Sequence, residues 1–70
     1  MTEVKASMAG SVWKLVAAQG DQINEGDDVA ILESMKMEIP IPSESSGTVK
    51  EIKVEEGDFV NEGDVIAIIE

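Results

Sequence analysis

Short apolar runs rich in β-branched residues, punctuated by Gly, Asn, Asp, Ser and Pro, fill the chain from end to end. Eight valines and eight isoleucines supply most of them. The pattern predicts strands over Val4–Ser7, Ser11–Val16, Val29–Glu33, Met37–Ile41, Gly47–Val54 and Val65–Ile69, with two very short ones near Gln22–Asn24 and Phe59–Asn61. In two of these runs the alternation slips, between Val12 and Leu15 and again between Val49 and Ile52, which predicts a bulge or a strongly coiled strand at each place. One segment has a helical rival: Asp28 could cap Val29–Met37, with Pro40 ending it.

An internal repeat decides against that helix. Moving the sequence by 37 residues lays Gly10–Glu33 over Gly47–Glu70 without a gap. The identical pairs are Gly10/Gly47, Val12/Val49, Gly20/Gly57, Asp21/Asp58, Asn24/Asn61, Glu25/Glu62, Gly26/Gly63, Asp27/Asp64, Ala30/Ala67, Ile31/Ile68 and Glu33/Glu70, which is 11 of 24 positions. Leu15/Ile52, Ile23/Val60, Val29/Ile66 and Leu32/Ile69 are conservative. The mate of the disputed segment is Val65-Ile66-Ala67-Ile68-Ile69, dominated by β-branched residues, so both copies are assigned as strand. All six glycines fall into matched pairs, which predicts the same turns, with positive φ, built twice. Two copies of one β unit about a pseudo-two-fold axis are the simplest consequence. Trp13 is matched by Lys50 and is therefore expected to be partly exposed.

The repeat also locates a stretch with no mate. Residues 34–36 fall just past the first copy, so their counterparts would be positions 71–73, beyond Glu70. Lys36, between Met35 and Met37, is thus expected in a hairpin that is the pseudo-symmetric counterpart of the gap between the chain ends. With two sheets facing one another across the axis, this hairpin lies at one end and the termini at the other. A lysine flanked by thioethers, far from any tether, reads as a display site. The plainer readings are an ordinary turn lysine, core packing for Met35 and Met37, and solvated hairpin charges for Glu33 and Glu38.

Composition narrows the chemistry. Seventy residues make one small domain, 1–70, with no room for both a cleft and a scaffold. The chain has no Cys and no His, which removes disulfides, thiolate metal sites and the usual nucleophile–base pairs, so an enzyme is not expected. A net charge of −10 speaks against nucleic acid and anionic membranes, and favours a monomer. No apolar run approaches the roughly 20 residues of a membrane span, and the start lacks a secretion signal. A cytoplasmic protein is the default expectation, although an organellar one without its targeting segment would look the same. The initiating methionine and the lack of a Pro/Ala-rich linker lean toward a free-standing protein. The acidic loops Asp21–Asp28 and Asp58–Asp64 fail as calcium loops. With their Gly at the sixth position of an EF-hand, the third position is Ile23 or Val60 and the twelfth Leu32 or Ile69, all apolar. They are expected to be solvated turns.

Glu33-Ser34-Met35-Lys36-Met37, with Gly10, Gly20-Asp21, Gly26, Gly47-Thr48-Val49 and Gly57-Asp58…Asn61-Glu62-Gly63-Asp64, resembles the biotinyl domains of the biotin/lipoyl attachment family. The resemblance covers essentially the whole chain and is closest in size to free-standing biotin carboxyl carriers. It implies an all-β fold: a flattened barrel of two four-stranded antiparallel sheets, with Lys36 in the exposed turn between the fourth and fifth strands. It further implies that a biotin-protein ligase joins biotin to the Lys36 amine through an activated biotinyl-adenylate. Met35 and Met37, by the same resemblance, mark the lysine for the ligase or line the docking surface of the arm. Glu33, Ser34 and Glu38 complete the turn, the two glutamates with partner recognition as their sharper reading. Two departures are visible. Ser34 stands where the family often has Ala, and Ser7-Met8-Ala9-Gly10 stands where Pro-Met-Pro-Gly is common. The protruding segment that some bacterial acetyl-CoA-carboxylase carriers place ahead of the lysine is lacking, since Glu33 directly follows Val29–Leu32.

A lysine amine is protonated at neutral pH, so a ligase must bind Lys36 where a neutral amine can form and attack, and a protruding turn can enter such a site. The product would be an arm of about ten bonds with ~12 Å of reach, one charge more negative at −11. The resemblance implies that this arm carries a carboxyl group between biotin carboxylase and carboxyltransferase components, raising effective concentration without tight binding. Two other readings stay open. One is a lipoyl carrier of 2-oxo-acid dehydrogenase or glycine-cleavage type, or a dual biotin/lipoyl acceptor; lipoyl domains resemble Asp-Lys-Ala at the turn, which Met35 and Met37 disfavour. The other is an unmodified interaction module.

Overall fold

The β-branched runs fold as strands throughout. The computed structural model describes residues 1–70 as eight strands and no helix: β1 (Thr2–Lys5), β2 (Gly10–Leu15), β3 (Gln22–Ile23), β4 (Asp28–Ser34), β5 (Met37–Pro42), β6 (Gly47–Ile52), β7 (Phe59–Val60) and β8 (Val65–Ile69). The segment that could have been a helix is β4. Two antiparallel four-stranded sheets result, ordered β1-β8-β6-β3 and β5-β4-β2-β7. A shift of 37 residues turns β1 into β5, β2 into β6, β3 into β7 and β4 into β8, so each sheet becomes the other.

The register repeats in the same detail. Trp13 is the extra residue between the pairs Val12↔Leu32 and Lys14↔Ile31, and Lys50 between Val49↔Ile69 and Glu51↔Ile68. Both expected bulges are therefore present. A second pair of irregularities leaves Val29 extra against β5 and its mate Ile66 extra against β1.

The first strand lies earlier than expected, at Thr2–Lys5 rather than Val4–Ser7. Ala6 spends its backbone groups on a turn instead of the ladder: its N–H donates to the Asp64 carbonyl and its own carbonyl accepts from Gly63. β2 stops at Leu15 because the N–H groups of both Val16 and Ala17 converge on the Val29 carbonyl. In β5, Pro40 and Pro42 are tolerated because it is an edge strand, where a missing donor can face away from the ladder.

The core is assembled pairwise from the two copies. Val12/Val49, Val29/Ile66, Ala30/Ala67, Leu32/Ile69, Ile23/Val60 and Val4/Ile41 are all buried. The last pair lies ahead of Gly10, where the sequence repeat shows no identity, so the structural repeat is longer than the sequence repeat. Ser43, the buried polar residue, is satisfied by the backbone of Ser45.

The acidic loops are turn hardware. In each of Ala18–Asp21, Asn24–Asp27, Glu55–Asp58 and Asn61–Asp64 the final aspartate donates its N–H to the first residue's carbonyl. Its carboxylate accepts the first residue's N–H at 2.8–2.9 Å. The residue before each aspartate is a glycine with φ between 88° and 96°, the left-handed position that such a turn requires. Gly10 has a different reason to be glycine: a Cβ there would stand 2.9 Å from the Glu33 carbonyl oxygen, and one at Gly47 would collide with that of Glu70.

The topology separates the β4–β5 turn from the chain ends. β2 runs away from the turn, from Ser11 beside Glu33 to Leu15 beside Ala30. Its continuation reaches Gly20, which donates to Val49, next to Ile69 and hence to Thr2. The turn and the two ends thus occupy opposite ends of a molecule measuring 31 × 18 × 18 Å.

Gly10→Ala should lower stability by about 1–3 kcal/mol, because the new methyl must displace a strand carbonyl. Gly47→Ala should fall at or beyond the upper end of that range. Urea unfolding of both variants beside the parent checks this, and unchanged midpoints would contradict the close approach.

Candidate functional site

The β4–β5 ladder continues past the core to the pairs Glu33↔Glu38 and Ser34↔Met37, leaving only Met35 and Lys36 to reverse the chain. A two-residue antiparallel connection demands the primed turn types, and both residues comply, with φ of 52° at Met35 and 66° at Lys36. These are the only non-glycine residues of the chain with positive φ. Asn-Gly would suit the positions; Met-Lys does not, at a cost of roughly 1–2 kcal/mol per residue.

The turn aims its side chains at solvent. Met35 is 92% exposed and Met37 57%, so neither serves the core. Lys36 is exposed and its ammonium forms no ion pair, whereas Lys5 and Lys53 approach Glu3 and Glu51. Glu33 and Glu38 face each other across the ladder on the outer surface, an arrangement of like charges that is mildly unfavourable by itself. Ser34, half-buried, forms the last rung with Met37. The six residues singled out from the sequence are thus brought together at one tip. No pocket opens on the surface, and no group of three or more acidic side chains is arranged to hold a metal ion.

Sequence reasoning missed two features. One is the left-handed backbone at Met35 and Lys36, which follows once the ladder is known to close with Ser34↔Met37. The other is Phe59, an aromatic in a predicted strand that proves 66% exposed.

Two pseudo-symmetric antiparallel sheets thus close on a small core and lift one lysine on a two-residue turn, with no cleft beside it. Residues 2–69 match the family of biotin-requiring enzymes, and the chain belongs to this biotin/lipoyl family, whose cofactor is biotin. It is 64% identical over 43 residues to the biotin/lipoyl attachment protein of Bacillus subtilis, across 61% of this chain and 59% of that protein. To the biotinylated protein TB7.3 homolog of Mycolicibacterium smegmatis it is 54% identical over 39 residues, across 56% of this chain and 55% of the relative. The matched stretch therefore spans between half and two thirds of these relatives. Among solved structures, the urea carboxylase of Kluyveromyces lactis superimposes with a TM-score of 0.91 at 40% identity, over 97% of this chain and 6% of that one. The fold thus recurs as a small part of a carboxylase.

Replacing the turn with its preferred residues, Met35→Asn together with Lys36→Gly, should raise stability by about 1–2 kcal/mol, the relief at two residues being partly offset by the entropy that glycine loses on folding and the cost that Asn still bears. Thermal and urea unfolding would register the gain. A loss on this exchange would mean that the turn is not strained.

Proposed function

We propose that this chain is a biotin carrier in which Lys36 is the attachment residue and the protein itself catalyses nothing. The observation that carries the reading is the tip: a lysine free of ion pairs, flanked by two exposed methionines, on a two-residue turn whose φ values disfavour both residues present. Strain kept at an exposed turn points to a requirement other than stability. The absence of a pocket fits a group held through a bond, and Lys36 supplies the amine for it.

In this reading a biotin-protein ligase receives the tip. The Lys36 amine attacks the acyl carbon of ATP-activated biotin; the C–N bond forms, the acyl–phosphate C–O bond breaks, and AMP leaves. Two protons are shed from the original ammonium, and the net charge moves from −10 to −11. Met35 and Met37 give the ligase a soft apolar surface on either side of the amine. Glu33 and Glu38 hold two negative charges at the base of the turn, where a partner with basic residues would find them. Ser34 closes the ladder beneath. The bound group then supplies carboxyl transfer, and the tip delivers it to biotin carboxylase and carboxyltransferase components; the recurrence of the fold within a carboxylase supports that assignment.

The name of the Bacillus subtilis relative also mentions lipoyl, which makes lipoate the second group to test at the same lysine. Intact mass and peptide mapping of the protein co-expressed separately with a biotin ligase and a lipoate ligase decide between them. A biotin-sized increment is expected on the peptide containing Lys36, and none in Lys36→Ala. A lipoyl increment alone would remove the carboxylase chemistry, and no increment from either ligase would leave an unmodified interaction module.

A further inference from the structure

The pseudo-symmetry separates what the fold needs from what it does not. Backbone and core repeat faithfully across the 37-residue shift, but the outer surfaces do not. Trp13, 49% exposed, has Lys50 as its mate, Val16 has Lys53, and Phe59 has Gln22. Trp13/Lys50 and Phe59/Gln22 occupy equivalent strands, Val16/Lys53 follow β2 and β6 directly, and the bulge at Trp13 recurs at Lys50. The fold therefore accepts polar residues where the sheet β5-β4-β2-β7 carries large apolar ones. No strand of the sheet β1-β8-β6-β3 carries an exposed large apolar residue.

The two aromatic residues, Trp13 and Phe59, lie on one face with the lysine hairpin. One row crosses the outer surface of the sheet β5-β4-β2-β7: Glu38, Glu33, Ser11, Phe59, all exposed and in register. Trp13 follows Ser11 by two positions and is the diagonal neighbour of Phe59, within reach of an aromatic side chain. Strand spacing puts Phe59 roughly 15 Å from the Lys36 turn, at the opposite edge of this row from Glu38.

We infer that this face, with Trp13 and Phe59 as its apolar anchors and Glu33 and Glu38 as its acidic edge, is where the enzyme that acylates Lys36 docks. The inference rests on the biotin-carrier reading above. Its physical basis is reach. The unmodified lysine extends only roughly 6 Å from its Cα, so the active centre must come down to the protein surface. A standard interface of about 800 Å² per partner is a disc about 16 Å in radius, which, centred on the tip, extends to Phe59. Aromatic side chains are enriched among the residues that contribute most to affinity, and an interface displaced from the tip toward Trp13 and Phe59 brings both nearer its centre while still covering Lys36. The partner this face fits has an apolar patch bordered by basic residues. A second copy of the chain fits poorly, because it brings the same acidic edge and a net charge of −10.

The test is steady-state biotinylation of the full chain by a biotin-protein ligase with ATP and biotin, comparing the parent, Trp13→Gln/Phe59→Gln, and the opposite-sheet control Gln22→Ala/Lys50→Ala. Glutamine at 59 is the residue its symmetry mate already carries, and circular dichroism verifies folding. The face variant should show KM raised about tenfold or more with kcat within about twofold, and the control should match the parent. Equal KM values for parent and face variant would overturn the docking inference while leaving Lys36 as the attachment site. An equal rise in the control would also overturn it, by showing no preference between the faces. A parent that takes up no biotin would instead remove the carrier reading and the inference with it. Sedimentation closes the remaining route: a dimeric parent that becomes monomeric on the aromatic substitutions, with KM unchanged, assigns the face to self-association.

Discussion

The display of Lys36 depends on the register of β4 against β5. Ala30, Leu32 and Ile41 are buried on the inner side of this pair, and Glu33, Glu38 and Pro40 point outward. A slip of one residue would exchange the two sets, exposing Leu32 and Ile41 and burying charge. Burial of each large aliphatic chain is worth about 1.5–3 kcal/mol, against roughly 1–2 kcal/mol for each left-handed residue at the tip. The core terms win, and with the register set the chain has only Met35 and Lys36 left with which to turn. Residues that never touch solvent thus decide where the amine stands.

The two copies divide the molecule into what is repeated and what is not. Repeated are the buried pairs, both sets of bulges, and the four aspartate-closed turns with their left-handed glycines. These stabilise a chain of 70 residues that has no cysteine with which to cross-link itself. Unrepeated are the hairpin and the aromatic outer face beside it. Duplication gives both sheets the same backbone, so a residue present in one copy only is not there to make the backbone fold. That is a stronger filter than exposure alone, because singly exposed apolar residues are ordinary on protein surfaces.

Much of this was legible in the sequence, for physical reasons specific to each element. The repeat fixed the strand assignment of β4 where local propensity favoured a helix, because Val65–Ile69 admits little else. The bulges could be read because each shifts the apolar phase by one. The first strand could not be placed correctly: residues 2–9 share no identity with 39–46, and only the hydrogen bonds of Ala6 to Asp64 and Gly63 show where the ladder ends. The glycines divided in a way that composition cannot reveal, four of them for the left-handed turn position and Gly10 and Gly47 for the approach of a neighbouring carbonyl. Lys36 itself was found by its lack of a mate and its methionine neighbours, and the fold supplied the backbone conformation. Phe59 was hidden because a two-residue strand is too short for alternation to tell its faces apart.

Charge at the tip connects the two stages of the proposed cycle. Before acylation the tip carries one cation above two carboxylates, Glu33 and Glu38, which lie at neighbouring positions on the ladder. Amide formation removes the cation and leaves the carboxylates, so the local charge becomes more negative by one without any change of backbone. The turn lies within roughly one Debye length, about 8 Å at physiological ionic strength, of both glutamates, and a partner at the tip therefore senses the difference. An enzyme that binds the unmodified lysine loses its cationic target in the product, which favours release. A later partner meets a uniformly acidic tip with a long arm above it, and a basic surface there draws the carrier in by long-range attraction without tight contact. The aromatic face remains the same in both states, so it contributes binding without distinguishing them, and the distinction rests with the three charges at the hairpin.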